Sequence, residues 1–328
     1  MLVRGMLRRF GHLILLLLIA LPLSRAQQAA GPPPPPPEEP AKAPAGYAIQ
    51  SDVSMVLLHV SVVDAHGQFF PGLKAGNFRV FEDGAEQKLA VLREEDAPVS
   101  MGLLIDNSAS MEDKRPGVNA AALTFVKTSN PEDEVFVAHF NQNYSFDLNE
   151  DFTSDAGELG KALARTESRG PTALYDAILT SLDHLKRGYN SKKVLLIVSD
   201  GEDNFSKNDL HVTLEQAQRS NAMIYAVGLL GQEEKSSAER ARQALLSLTQ
   251  ATGGSAFFPS GVEQVEAICT QFAYDIRHQY TLAYYPGNAP AGRSFRAIRV
   301  EVVPPPGMEK LSVRTRTGYF ATQTASRN

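Results

Sequence analysis

Five oxygen-bearing side chains in this sequence have the types and spacing to hold an ion. Asp106, Ser108 and Ser110 alternate in "LLIDNSASM", Thr172 stands in "SRGPTALYDAI", and Asp200 closes "KKVLLIVSD". An acid at the end of an apolar run is costly to bury unless something pairs with it or binds to it. Two separate runs end this way. Two carboxylates and three hydroxyls make an oxygen-only set, which suits a hard cation such as Mg²⁺, Mn²⁺ or Ca²⁺ and not zinc. Two carboxylates just neutralise a divalent ion, and neutral hydroxyls leave it electrophilic. A carboxylate from outside can then complete the coordination.

The elements around these residues must bring them to one edge. From 99 to 277 short apolar runs alternate with helical patterns, which predicts βαβ units and a doubly wound, mostly parallel sheet with helices on both faces. The unbroken apolar character of "GLLI" and "VLLIV" fits strands buried on both sides. In such sheets ligands sit beyond the carboxyl ends of the strands, where Asp106 and Asp200 fall. Gly170 and Pro171 shape the loop that delivers Thr172 just ahead of a helix starting near Ala173.

Alternation in the flanks predicts strands. Val56, Leu58, Val60 and Val62 share one face, a hairpin turns at Asp83-Gly84, and "QYTLAYYP", "SFRAIRVEVVP" and "KLSVRTRTGYF" continue the pattern at the far end. Neither flank has strands enough for its own sandwich. One small β-sandwich-like domain built from both is expected, with segment 47–98 pairing with 278–322 and a tail at 323–328.

The chain has 328 residues, one cysteine and a formal charge of −5. Arg4, Arg8 and Arg9 precede an apolar run from Leu13 to Leu23 and a small-residue site at Ser24 and Ala26, the layout of a Sec-type signal peptide over 1–26. Its core is short for a bilayer span, and no cysteine lies nearby to carry a lipid. A Pro-rich linker follows at 27–46. The expectation is a secreted or periplasmic protein with no stable membrane span after cleavage. An acidic balance disfavours nucleic acid as a partner. A single cysteine forms no disulfide framework, and Cys269, beside Ile268 and Phe272, reads as a buried thiol.

Asp106-x-Ser108-x-Ser110, with Thr172 and Asp200 in matching order at strand ends, resembles the metal-ion-dependent adhesion site of von Willebrand factor type A domains. The resemblance covers about 99–277, and the "FRVFEDG", "AYYP" and "RTGYF" flanks resemble the secreted bacterial subgroup called VWFA-related domains of acidobacterial type. It implies a Rossmann-like fold. It also implies direct coordination of a divalent cation, Mg²⁺ foremost, by Ser108 and Ser110, with Thr172, Asp106 and Asp200 acting directly or through water. The implied activity is non-catalytic adhesion to a protein or matrix ligand that offers a carboxylate. "RGPT" stands where Gly-Gly-Thr is usual.

Other readings compete. A strand-end aspartate often only caps a helix or forms a turn. "DGEDN" after Ser199 fails as a calcium loop, because Phe205 stands where glycine and His211 where glutamate is needed. Glu202 and Asp203 then read as solvated rim charges, and His139 as a core or edge histidine. No His-Glu-x-x-His or Gly-x-Ser-x-Gly motif points to an enzyme. An envelope-assembly scaffold with a structural ion is one alternative. A Mg²⁺-dependent phosphohydrolase using Asp106 is another, though no lysine suited to holding phosphate stands out.

Overall fold

A computed structural model describes residues 55–94, 96–128, 130–148, 150–164, 168–230, 234–287, 295–308 and 311–321. The expected leader, linker and tail lie outside them. Four strands come first: β1 (Val56–Val63), β2 (Phe78–Glu82), β3 (Ala85–Gln87) and β4 (Leu89–Glu94). The central part follows as β5 (Val99–Asp106), α1 (Arg115–Thr128), β6 (Glu134–Phe140), β7 (Tyr144–Phe146), α2 (Ala156–Ala164) and α3 (Leu174–Leu185). It continues through β8 (Lys192–Ser199), α4 (Leu210–Ser220), β9 (Met223–Gly228), α5 (Lys235–Thr252), β10 (Ala256–Phe257) and α6 (Val265–Arg277). The chain then returns to strands: β11 (Tyr280–Tyr284), β12 (Phe295–Val302), β13 (Ser312–Arg314) and β14 (Gly318–Phe320).

The central sheet has the order β10-β9-β8-β5-β6-β7. All its pairings are parallel except that of β7 with β6. Successive residues of a strand face opposite sides, and both sides are apolar here. Met101, Leu103 and Ile105 pack with Val118, Phe125 and Phe272 of α1 and α6, while Leu104, Leu195 and Ile197 pack with Ile178 and Leu245 of α3 and α5. Residues facing helices on both sides need no polar alternation, which is why these strands read as unbroken runs. Strand order reverses at β5, because the chain goes from β5 to one side for β6 and later to the other side for β8. Asp106 and Asp200 therefore end neighbouring strands at the switch point, where a crevice opens between loops leading to opposite faces.

The flanks interleave in two four-stranded sheets, β13-β1-β11-β4 and β14-β12-β2-β3. Val56, Leu58, Val60 and Val62 turn inward to meet Phe78, Val80, Tyr280, Leu282 and Val300. Asp83 and Gly84 both have positive φ, 48° and 84°, as the tight β2–β3 hairpin turn requires. One expectation changes: "KLSVRTRTGYF" is two strands in different sheets. Between them the chain leaves the β1 edge and touches the central part, where Thr317 N donates to Ala251 O at 3.2 Å and Arg316 bridges Thr252.

Polar side chains tie the two layers together. Gln279 Nε2 donates to Ser61 Oγ at 3.0 Å and Tyr225 Oη at 3.3 Å, and Arg314 pairs with Asp275 at 2.8 Å. Cys269 is buried, and burial pushes its thiol up to about 12. Among the described residues no helix is long and apolar enough to cross a membrane.

Candidate functional site

Asp106 is the last residue of β5 and is completely buried. The chain turns at once, so Ser108 N donates back to Asp106 Oδ1 at 2.8 Å, and Ser199 Oγ at the end of β8 donates to Oδ2 at 2.5 Å. A short 3₁₀ turn, Ala109–Met111, follows, and the fully buried Met111 anchors it. Ser108 Oγ lies 3.2 Å from Ser110 Oγ, and Ser110 Oγ donates to Asp200 Oδ1 at 2.9 Å. Asp200 is itself fully buried, Ser108 nearly so, and Ser110 exposed.

Two backbone bonds lay the third loop onto the first: Arg169 N donates to Asn107 O at 2.9 Å and Ala109 N to Gly170 O at 3.2 Å. Gly170 holds φ at 77°, a conformation that suits glycine. Thr172 is buried and bonded to the loop after Asp200: its N–H donates to Asn204 Oδ1 at 2.9 Å, and its carbonyl accepts from Asn204 N and Phe205 N. Its hydroxyl faces Gly201, where an added Cβ would stand 3.8 Å from Thr172 Oγ1. The fold thus brings Asp106, Ser108, Ser110, Thr172 and Asp200 to three adjoining loops at one sheet edge, with Ser110 on the solvent side.

Burial raises the Asp106 carboxyl to about 6, and the nearby Asp200 charge adds to this against the bonds from Ser199 and Ser108. Two solvent-excluded carboxylates therefore stand together with hydroxyls around them. Among the described residues Lys114 is the charged group bonded to this pair, its Nζ 2.5 Å from Asp200 Oδ2, and the buried Arg115 guanidinium acts through space on Asp147 and Asp106. Asp106, Asp147 and Asp200 against Lys114 and Arg115 leave one negative charge over, and the remaining donors are neutral oxygens. The chemistry of the set fits a hard cation, which Asp106, Ser108, Ser110, Thr172 and Asp200 can hold.

Sequence reasoning missed two members of this arrangement. Ser199 was readable as the neighbour of Asp200, but its hydroxyl serves Asp106 on the next strand. Lys114 gave no signal in the sequence, because only the turn at Met111 directs it back to the site, where it pairs with Asp200. Glu202 and Asp203, read as solvated rim charges, are half-buried and bonded. Glu202 accepts from Ser237 Oγ at 2.6 Å and Arg240 at 2.9 Å, and Asp203 Oδ2 accepts from Tyr175 N at 3.0 Å, capping an α3 whose N-cap residue, Ala173, has no polar side chain to do so. His139 is buried, paired with Asp147 and 3.2 Å from Arg115 Nη2, while Arg115 also bonds Asn107 beside the site. Burial lowers the imidazole's pKa.

Residues 101–202 match the family model described as von Willebrand factor type A domain, and this chain carries such a domain. No curated protein matches the sequence. Among solved structures it is similar to a von Willebrand factor type A protein from Catenulispora acidiphila, at 12% identity over 76% of this chain and 74% of that one, with a TM-score of 0.46. It is also similar to an aerotolerance-related membrane protein from Bacteroides fragilis, at 13% identity over 54% and 98% of the two chains, TM-score 0.44. A third is proximal thread matrix protein 1 from the mussel byssus, at 13% identity and TM-score 0.45. There the likeness covers 55% of this chain and about half, 49%, of the byssus protein's length. Likenesses this distant carry no argument about activity.

Proposed function

We propose that the chain is a non-catalytic binding module, exported by its N-terminal leader, that holds a divalent cation between Asp106 and Asp200 and offers it to a carboxylate of a protein or matrix ligand. The observation that supports this most is the pair of fully buried carboxylates at neighbouring strand ends, short of positive charge and reached from solvent at Ser110. When bound, the ion supplies a Lewis-acidic centre for an anionic oxygen. The chain's own residues do the rest. Ser199 and Ser108 N fix the Asp106 oxygens, Ser110 and Lys114 fix those of Asp200, and the Asn204 contact sets the height of the Thr172 loop.

The test is a calorimetric titration of Mg²⁺ and Mn²⁺ into the protein and into Asp106→Ala, alongside capture from envelope and culture extracts in Mg²⁺ or chelator. Binding of one ion, lost in the variant, and capture lost with both variant and chelator are expected. Capture that survives both, while Asp106→Ala only lowers Tm, would favour the scaffold with a structural ion.

Lys114 gives the phosphohydrolase reading one observation in its favour, since a cation now stands beside a strand-end acid. Against it, position 108 is a serine, so the acid that would protonate a leaving group is lacking there. Hydrolysis of p-nitrophenyl phosphate that disappears in Asp106→Asn would support that alternative.

A further inference from the structure

We propose that Lys114 is a built-in competitor of the divalent ion, holding the site half-neutralised when it is empty of metal and leaving it with surplus positive charge when loaded. This rests on the cation-site reading above. The turn anchored by Met111 sends the Lys114 side chain back over the sheet edge, where Nζ lies 2.5 Å from Asp200 Oδ2 and 3.5 Å from Leu229 O with only 15% of the side chain exposed. The other Asp200 oxygen accepts from Ser110, so one carboxylate is shared between the chain's own cation and the serine at the mouth of the site.

Charge explains what this sharing does. Without Lys114, Asp106 and Asp200 would face each other as two buried anions, an arrangement that repels strongly where water is scarce. With it, and with the buried Arg115 guanidinium acting on both Asp106 and Asp147, the three carboxylates exceed the two cations by one charge and the fold can close. An incoming divalent ion meets an ammonium already on one of its two carboxylates and binds more weakly for it. Once the ion is in place, ion, ammonium and guanidinium together outweigh Asp106, Asp147 and Asp200 by one charge. The loaded centre then favours an anionic ligand over a neutral one. Lys114 is in this sense a specificity-determining residue.

The experiment titrates Mn²⁺ calorimetrically into the full chain and into Lys114→Met, Lys114→Arg and Asp106→Ala, with metal-free Tm read in parallel. Lys114→Met is expected to bind Mn²⁺ at least about tenfold more tightly, as removal of a like charge a few ångströms away requires. Lys114→Arg should stay near wild type, and Asp106→Ala should show no binding. Metal-free Lys114→Met should melt below wild type, with the deficit closing at saturating Mn²⁺. Lys114→Gln serves as a second neutral variant should the methionine not fold, and the same tightening is expected of it. Binding in a neutral variant alone also supports the proposal. Equal or weaker binding by the neutral variants, with Asp106-dependent binding intact in wild type, overturns the competitor and leaves the cation site standing. Loss of Asp106-dependent binding from every protein, wild type included, overturns both.

Discussion

Two buried acidic clusters lie in the two halves of this molecule, and they are built to opposite plans. In the sandwich, Glu82 is buried with Arg296 paired to it, and Tyr284 and Tyr319 donate to its Oε2 at 2.7 and 2.9 Å. One negative charge meets one positive charge and two hydroxyls, and the cluster is closed. At the edge of the central sheet only Asp200 is paired directly, with Lys114, while Asp106 feels Arg115 through space and is held by small hydroxyls and a backbone N–H, and Ser110 reaches solvent. Burial alone does not separate a structural acid from a functional one. Between these two clusters the difference lies in the direct pairing: Glu82 has its own guanidinium, and Asp106 has none.

The largest test of this contrast is to open the closed cluster. Glu82→Ala leaves Arg296 buried without its partner and should cost about 3–5 kcal/mol in urea unfolding, with no recovery on adding Mg²⁺. The second removes the excess from the open one. Asp106→Asn discards a carboxylate whose pKa is raised in the fold, so at pH 7 without metal it should be as stable as wild type or more stable by up to about 2 kcal/mol. Its Tm should also no longer rise with Mg²⁺. A destabilised, metal-insensitive Asp106→Asn would place Asp106 with Glu82 as a purely structural acid.

A smaller effect comes from the junction. Burial, with Lys192 and Arg316 adding to it, lowers His59 to about 3 from its ordinary 6.5. The unfolded chain therefore binds a proton there that the fold does not, and stability falls as pH drops below about 6.5. Between pH 7 and 5, wild type should lose about 1–2 kcal/mol more than His59→Gln, read from paired melting curves. The smallest is Tyr319→Phe, which takes one donor from Glu82 and leaves the ion pair, at a cost of about 1 kcal/mol.

The contrast also marks what the sequence made legible. Strand-end placement of Asp106 and Asp200 followed from apolar runs that could only be buried on two faces, and the alternation of Val56, Leu58, Val60 and Val62 defined the inner face of β1. Glu82 and Arg296, 214 positions apart, show nothing in sequence that joins them. Lys114 belongs to the site because a buried methionine three residues earlier turns the chain, which is a tertiary fact. The split of 310–320 into β13 and β14 has the same origin, since the crossing at Thr315 to Thr317 is set by contacts with the end of α5. α5 also begins at Lys235 ahead of any apolar stripe, since "KSSAER" shows no periodicity and the buried face starts only at Ala241 and continues through Ala244, Leu245 and Leu248.

The interleaving of the sandwich sets a timetable for synthesis. β1 pairs with β11 and β13, so the ribosome must add more than two hundred residues before either neighbour exists. At about 5–20 residues per second that is some tens of seconds during which an apolar edge such as Leu58 to Val62 waits unpaired. The α/β insert can form its own sheet in that interval. By closing on itself it returns the chain from α6 to the place where β4 left off, so that β11 drops between β1 and β4. Nascent chains halted after residue 277 should therefore hold a protease-resistant insert with the four leading strands still cut.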